Sequence, residues 1–164
     1  MLDFLKNTVY IRLSIEYLSV LQVESNILFS DQPWVAIKEY KGKRQIISYG
    51  KLALTIKDNP DIKIINGFKH PRTIIADFNI AELAMTYSVK QVFKHRKYCP
   101  SPIIIIHPMD EWEGGLTPVE IRALRELCCM AGARAVYCWQ GLELSKNELE
   151  TLEFPSHKGK LLDQ

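Results

Sequence analysis

Four consecutive isoleucines at positions 103–106, closed in front by Pro100-Ser101-Pro102 and behind by His107-Pro108, constrain this chain more than any other feature. β-Branched side chains are stiff about χ1 and favour extended backbone. A run without a polar alternate implies a strand that is dry on both faces, and four residues fall far short of the ~20 that a membrane-spanning helix needs. The run predicts a central parallel strand. Such a strand has to be covered by helices, which makes the fold class α/β.

The flanking segments agree with that reading. Residues 8–14 and 17–23 are rich in β-branched and aromatic types and predict a hairpin about Ile15 and Glu16, although a two-residue turn ordinarily uses Gly or Asn. Residues 34–40 predict a third strand, Lys41-Gly42-Lys43 a turn, and 45–48 a short return strand. Residues 51–57 predict a short helix stopped by Asp58-Asn59-Pro60, and 61–68 an extended segment. Asn79 followed by Glu82 predicts a helix start, with Ile80, Leu83, Ala84 and Tyr87 on one face and an end near His95. Thr117-Pro118-Val119-Glu120 has the capping-box pattern; Ile121, Leu124 and Cys128 line the helix it opens, and Gly132 stops it. Residues 133–139 predict a second buried strand, and residues 144–152 a helix capped by Ser145. The predicted architecture is a mixed sheet with leading antiparallel strands and later parallel strands flanked by helices.

Composition narrows the function classes. At 164 residues with 47% hydrophobic types, the chain suits one domain with a real core. The 21 basic residues are nearly balanced by 19 acidic ones, so charge gives no reason to expect a nucleic-acid partner. Cys99, Cys128, Cys129 and Cys138 show no C-x-x-C spacing and predict no metal site; buried free thiols are expected. The first residues have neither a basic n-region nor a cleavage pattern, so a cytoplasmic location is expected.

Four local patterns, in order, resemble the MreB branch of the actin-like ATPases, a superfamily that includes Hsp70. Pro33 and the residues to Ile37 resemble the family's P-S-V-V-A-I, and Ile75-Ala76-Asp77-Phe78 its I-A-D-F. Glu120-Ile121-Arg122-Ala123-Leu124-Arg125-Glu126 is similar to E-R-R-A-I-R-E, and Ala131-Gly132-Ala133-Arg134-Ala135-Val136 to A-G-A-R-E-V. The resemblance implies an actin-like, ribonuclease H-like half-fold. It implies a single domain over 1–154, with subdomain IA and a small IB insertion at about 45–75, then a polar tail over 155–164.

The family is expected to bind ATP with Mg²⁺ through a D-L-G-T phosphate loop, and here the matching positions read Arg12-Leu13-Ser14-Ile15, followed by Glu16. A cation replaces the acid that would organise the hydrated metal, and Glu16 adds negative charge where phosphate oxygens would sit. The glycine that lets backbone approach phosphate is also gone. Gln140-Gly141-Leu142 stands where the family has E-E-P, and the second phosphate loop has no counterpart before the sequence ends. Arg12, Ser14, Ile15 and Glu16 are therefore read as degenerate positions, with no catalytic residue, no cofactor and no metal expected.

Residues 109–115 lengthen the family's strand-to-helix loop and contain Asp110, Glu111, Trp112 and Glu113. Trp112 flanked by acids suits a partner anchor, or folds back over the vacated phosphate region; both readings stay open. His107 with Asp110 or Glu111 is an acid/base or metal candidate, against the commoner strand-end histidine bonded to backbone. Cys128-Cys129 reads as core packing, because adjacent helical residues point about 100° apart. Leu2, Phe4 and Leu5 invite a peripheral membrane contact at the inner face, against an ordinary leader to the first strand. Lys94-His95-Arg96-Lys97 reads as a cationic helix end. The expectation is a non-catalytic scaffold, adaptor or filament-associated component linked to cell shape or envelope assembly, acting through a protein partner or self-association. The alternative is half of a split actin-like ATPase.

Overall fold

The computed structural model describes residues 6–162. Leu2, Phe4 and Leu5 lie outside the described residues. The isoleucine run becomes strand β7 (Ile103–Pro108), after β1 (Thr8–Leu13), β2 (Leu18–Gln22), β3 (Ile27–Asp31), β4 (Trp34–Tyr40), β5 (Lys43–Tyr49) and β6 (Ile62–Asn66). Helix α1 (Phe78–Phe93) precedes it, and α2 (Pro118–Met130), β8 (Ala135–Gly141), α3 (Lys146–Thr151) and β9 (Gly159–Leu162) follow. The large sheet has the order β3-β2-β1-β7-β8-β9, with β7 parallel to both β1 and β8 and the outer pairings antiparallel. A second sheet, β5-β4-β6, is wholly antiparallel.

The isoleucines serve both faces, as their pattern requires. Ile104 and Ile106 join the main core with Ile80, Ala84 and Met85 of α1 and with Leu124 and Leu127 of α2. Ile105 faces the other way, into a smaller core with Tyr10, Trp139, Leu144 and Leu149. Fully burying each isoleucine is worth roughly 1.5–3 kcal/mol relative to exposure. Helix α1 packs against both β2 and β3 of the large sheet and β4 and β6 of the small one, so the main core runs across both sheets.

Several boundaries depart from the sequence reading. Helix α1 is capped by Asp77, whose carboxylate accepts from the Ile80 amide at 3.1 Å, rather than by Asn79. The carbonyl of Gly67 takes the amides of both Ala76 and Asp77, and this contact, 9 and 10 residues away in sequence, sets where the helix begins. The helix expected over 51–57 is a 3-10 helix, Gly50–Thr55, which ends well before Pro60. β3 is an added edge strand whose Ile27 and Leu28 are exposed, so no polar alternation marks it. β9 lies within the segment read as a polar tail. It is a strand because Leu161 and Leu162 pair with Trp139 and Cys138 on β8.

The capping boxes at α2 and α3 are formed as expected, by Thr117 with Glu120 and by Ser145 with Glu148. Glu120 does more than cap: Oε1 also accepts from the Ile74 amide at 3.3 Å, tying α2 to the segment that enters α1. Cys128 and Cys138 are buried in the main core and Cys129 is exposed; burial pushes the Cys128 thiol up.

Candidate functional site

β1 and β2 are joined by Ser14-Ile15-Glu16-Tyr17, four residues rather than the two expected. None of the four has a positive φ, so glycine is not required; a serine hydroxyl closes the turn instead. Ser14 Oγ accepts from the amides of Glu16 at 3.2 Å and Tyr17 at 3.1 Å, and the Ser14 amide donates to the Tyr17 carbonyl at 2.9 Å. The Ile15 amide donates out of the turn, to Oδ2 of Asp110 at 2.7 Å. The Ile15 carbonyl accepts from the Asn66 side-chain amide at 2.9 Å. Every backbone N–H from Ser14 to Tyr17 is thus bonded inside the chain.

Arg12, at the end of β1, points to the face of the smaller core. Its guanidinium donates to Glu143 Oε1 at 2.8 Å and to Ser19 Oγ at 3.3 Å. The side chains of Arg12 and Glu143 are 30% and 56% exposed, so the pair is worth about 1 kcal/mol or less. Its effect is local: the guanidinium is held by a carboxylate of this chain.

His107 lies beside Arg12 in the β1–β7 register and is buried. Its Nε2 lies 2.9 Å from the Gly141 carbonyl, which can only accept, so Nε2 carries the proton and Nδ1 accepts from the Tyr10 hydroxyl at 2.6 Å. Burial favours the neutral ring and lowers the His107 pKa; it also pushes Tyr10 up to about 12. Asp110 turns the other way, to Ile15. The structure therefore does not assemble His107 with Asp110 or Glu111, and the acid/base reading gives way to a strand-end histidine spanning two fixed partners. Among the described residues there is no cluster of three or more His, Cys, Asp or Glu suited to hold a metal ion.

Trp112 is half-buried and packs against the main core, with its Nε1 enclosed and without a hydrogen-bond partner, while Glu111 and Glu113 are exposed. Asp110, not Trp112, reaches the hairpin turn. Gln140 pairs with Lys160 of β9 at the far end of β8. Asn66 and Glu143 were not singled out by sequence. Neither sits in a motif, and each is brought to the turn or to Arg12 from 51 or 131 residues away.

With this geometry in hand, comparison with known proteins decides the family. The model of the MreB/Mbl protein family matches residues 6–143. The chain belongs to the MreB/Mbl family. Cell shape-determining protein MreB of Pasteurella multocida is 39% identical over 64 residues, covering 39% of this chain and 17% of that protein. Two crystal structures of MreB5 of Spiroplasma citri, one bound to AMPPNP and one to ADP, superpose with TM-scores of 0.62 and 0.63 at 18% and 16% identity. Each covers 81% of this chain, which spans 38% and 37% of those chains. At that identity the likeness is one of fold: an actin-like arrangement in which this MreB-family chain matches part of the neighbours' length. Its opening hairpin is the position at which the resemblance placed the phosphate loop, and in this chain the turn's donors are taken.

Proposed function

We propose that this MreB-family chain is a non-catalytic component that works through protein contacts, as a scaffold, adaptor or filament-associated element linked to cell shape or envelope assembly. One observation carries the reading: the four backbone N–H groups of the turn from Ser14 to Tyr17 all donate to acceptors of the chain itself. A phosphate-binding turn needs those donors free and directed at the ligand. Here a nucleotide would have to displace a carboxylate and a serine hydroxyl, with Arg12 engaged by Glu143 and Glu16 adding repulsion.

The cell-shape link follows from the relative's name and the family, and self-association is the contact mode that family membership supports. Exposed Glu111 and Glu113, beside the half-buried Trp112, offer an acidic surface for a protein partner. A cytoplasmic site of action, at the inner membrane face where Leu2, Phe4 and Leu5 make contact, belongs to the same proposal. No helix among the described residues is long and apolar enough to cross a membrane.

Isothermal titration of the protein with Mg-ATP tests the reading. No saturable heat is expected; micromolar, Mg-dependent binding overturns it. ATP hydrolysis that appears only on mixing with a co-purifying chain would instead favour a split ATPase. Sedimentation across a concentration series measures self-association separately.

A further inference from the structure

The small sheet meets the start of α1 around a partly enclosed cavity of about 200 Å³. Its floor is apolar: Ile37 of β4, Ile65 of β6 and Ile80 of α1. Charged side chains border it, and two of them are engaged within the chain. Asp61 pairs with Lys38 at 3.6 Å, and Asp77 Oδ1 accepts from the Ile80 amide at 3.1 Å. The others are Glu39, Arg44 and Lys63, and among the described residues none of their side chains takes part in a hydrogen bond or ion pair. The ladders hold these three close together. Glu39 on the central strand β4 stands opposite Arg44 on β5, and Lys63 on β6 stands opposite Ile37, two residues before Glu39. Opposite charges in direct cross-strand register ordinarily attract and pair. Here the acid and the cation both border the cavity with no ion pair between them. The β4–β5 ladder also shifts register between Ala36 and Ile37, a bulge of the kind that re-aims side chains beside binding sites.

We propose that this cavity is a binding site for a free α-amino acid with a branched aliphatic side chain. Its chemistry calls for both charges and for hydrocarbon in one small molecule. The guanidinium fork of Arg44 suits a carboxylate, to which Lys63 adds positive charge; Glu39 suits an ammonium group; the isoleucine floor suits an aliphatic side chain. A ligand carrying only negative charge meets repulsion from Glu39, Asp61 and Asp77, and one carrying only positive charge meets Arg44 and Lys63, so a zwitterion balances both. The volume lies below the roughly 300–1,000 Å³ of sites that take drug-sized ligands, which restricts the occupant to amino-acid size. The site is separate from the hairpin turn and does not depend on how that turn is read. Because its walls come from β4, β5, β6 and α1, an occupant bridges the small sheet to the helix that carries the core into the large one. Binding that requires those walls together stabilises their junction.

The test is NMR of the full chain, following the isoleucine amides and methyls during titration with L-leucine at constant pH and ionic strength. Two analogues serve beside it: isocaproic acid, which lacks the ammonium group, and isoamylamine, which lacks the carboxylate. L-Leucine is expected to shift the Ile37, Ile65 and Ile80 resonances saturably, with a Kd of about a millimolar. Each analogue should bind about tenfold or more weakly, because one charge-assisted hydrogen bond is lost and a charged group of the site is left unpaired. Arg44→Gln and Glu39→Gln change exposed side chains and should leave the β7 amide resonances in place while weakening leucine about tenfold or more. Glu39→Gln should also abolish the preference for leucine over isocaproic acid, a change that a purely structural role of Glu39 does not produce. The proposal is overturned if these isoleucines give no saturable response to leucine, if the analogues bind wild type as well as leucine does, or if both variants bind leucine as wild type does. The ligand panel on wild type decides the matter should a variant fail to fold.

Discussion

At the scale of single residues, buried polar groups in this chain are placed by partners that fix their protonation state. His107 is buried between Tyr10 and the Gly141 carbonyl, and its folded-state pKa lies below the ordinary 6.5 because burial penalises the imidazolium; the Gly141 hydrogen bond and Glu143 oppose this and Arg12 reinforces it. An unfolded chain takes up the proton first as pH falls through about 6.5, so the stability contributed by the neutral ring is full above that value and declines as pH drops toward the folded-state pKa. Urea midpoints are therefore expected to fall as pH is lowered below neutrality. His107→Gln, which keeps a donor and an acceptor without a titrating group, should flatten that slope; an unchanged slope would contradict the assignment. At the same scale Arg12→Ala is expected to cost about 1 kcal/mol or less in urea unfolding, because its ion pair with Glu143 is largely solvated. Sequence drew attention to Arg12, Ser14, Ile15 and Glu16 through their place on the opening hairpin, where the resemblance puts a phosphate loop. It left Asp110 among three undifferentiated acids, because only the approach of the β7–α2 loop to the β1–β2 turn distinguishes it from Glu111 and Glu113.

At the scale of elements, two contacts decide where helices begin and how they hold. Gly67 passes so close to α1 that an added Cβ would meet the Ala81 nitrogen at 2.4 Å and the Asp77 carbonyl oxygen at 2.9 Å, both of them backbone atoms. Gly67→Ala is expected to destabilise the protein by about 3 kcal/mol, read from chemical denaturation, with loss of exchange protection concentrated in the first turn of α1. Helix α3 has only six residues and depends on its cap and on Lys158, whose Nζ lies 2.7 Å from Glu148 Oε1. The Lys158 bond, followed by the Ser145 amide, lowers the Glu148 pKa from 4.5 to about 2. The unfolded carboxylate protonates first, so this contribution is full above 4.5 and is lost as pH falls toward about 2. Glu148→Gln should remove that acid-dependent part of stability, seen as a shallower decline in helical circular dichroism across the same window. Thr117 and Ser145 announced their helices through local side-chain chemistry, whereas Asp77 did not displace Asn79 in the reading because the deciding contact, Gly67, is distant in sequence.

At the scale of the whole molecule, the two sheets share one core through α1. Tyr49, the last residue of β5, hydrogen-bonds Ser88 of α1 at 2.8 Å and stacks on Tyr87 at 4.5 Å between ring centroids; burial raises its hydroxyl pKa well above the ordinary value. Removing that ring should uncouple the small sheet from the large one. Tyr49→Ala is expected to lose on the order of 3 kcal/mol and to speed amide exchange in β4, β5 and β6 before β7. Uniform loss of protection across both sheets would show that the small sheet has no separate opening.

What the sequence by itself determined is the frame: a doubly buried β7, capped helices around it, and the mixed sheet. Those features rest on residue type, short-range periodicity and local capping, all of which operate within a few positions of the chain. Only the tertiary structure decided that β3 and the 159–162 segment are strands, that α1 starts at Asp77, and that Asp110 and Asn66 close the Ile15 turn. Each of these depends on a hydrogen-bond partner or packing surface supplied by a distant segment, and a donor's partner is fixed by folding rather than by the residue that bears it.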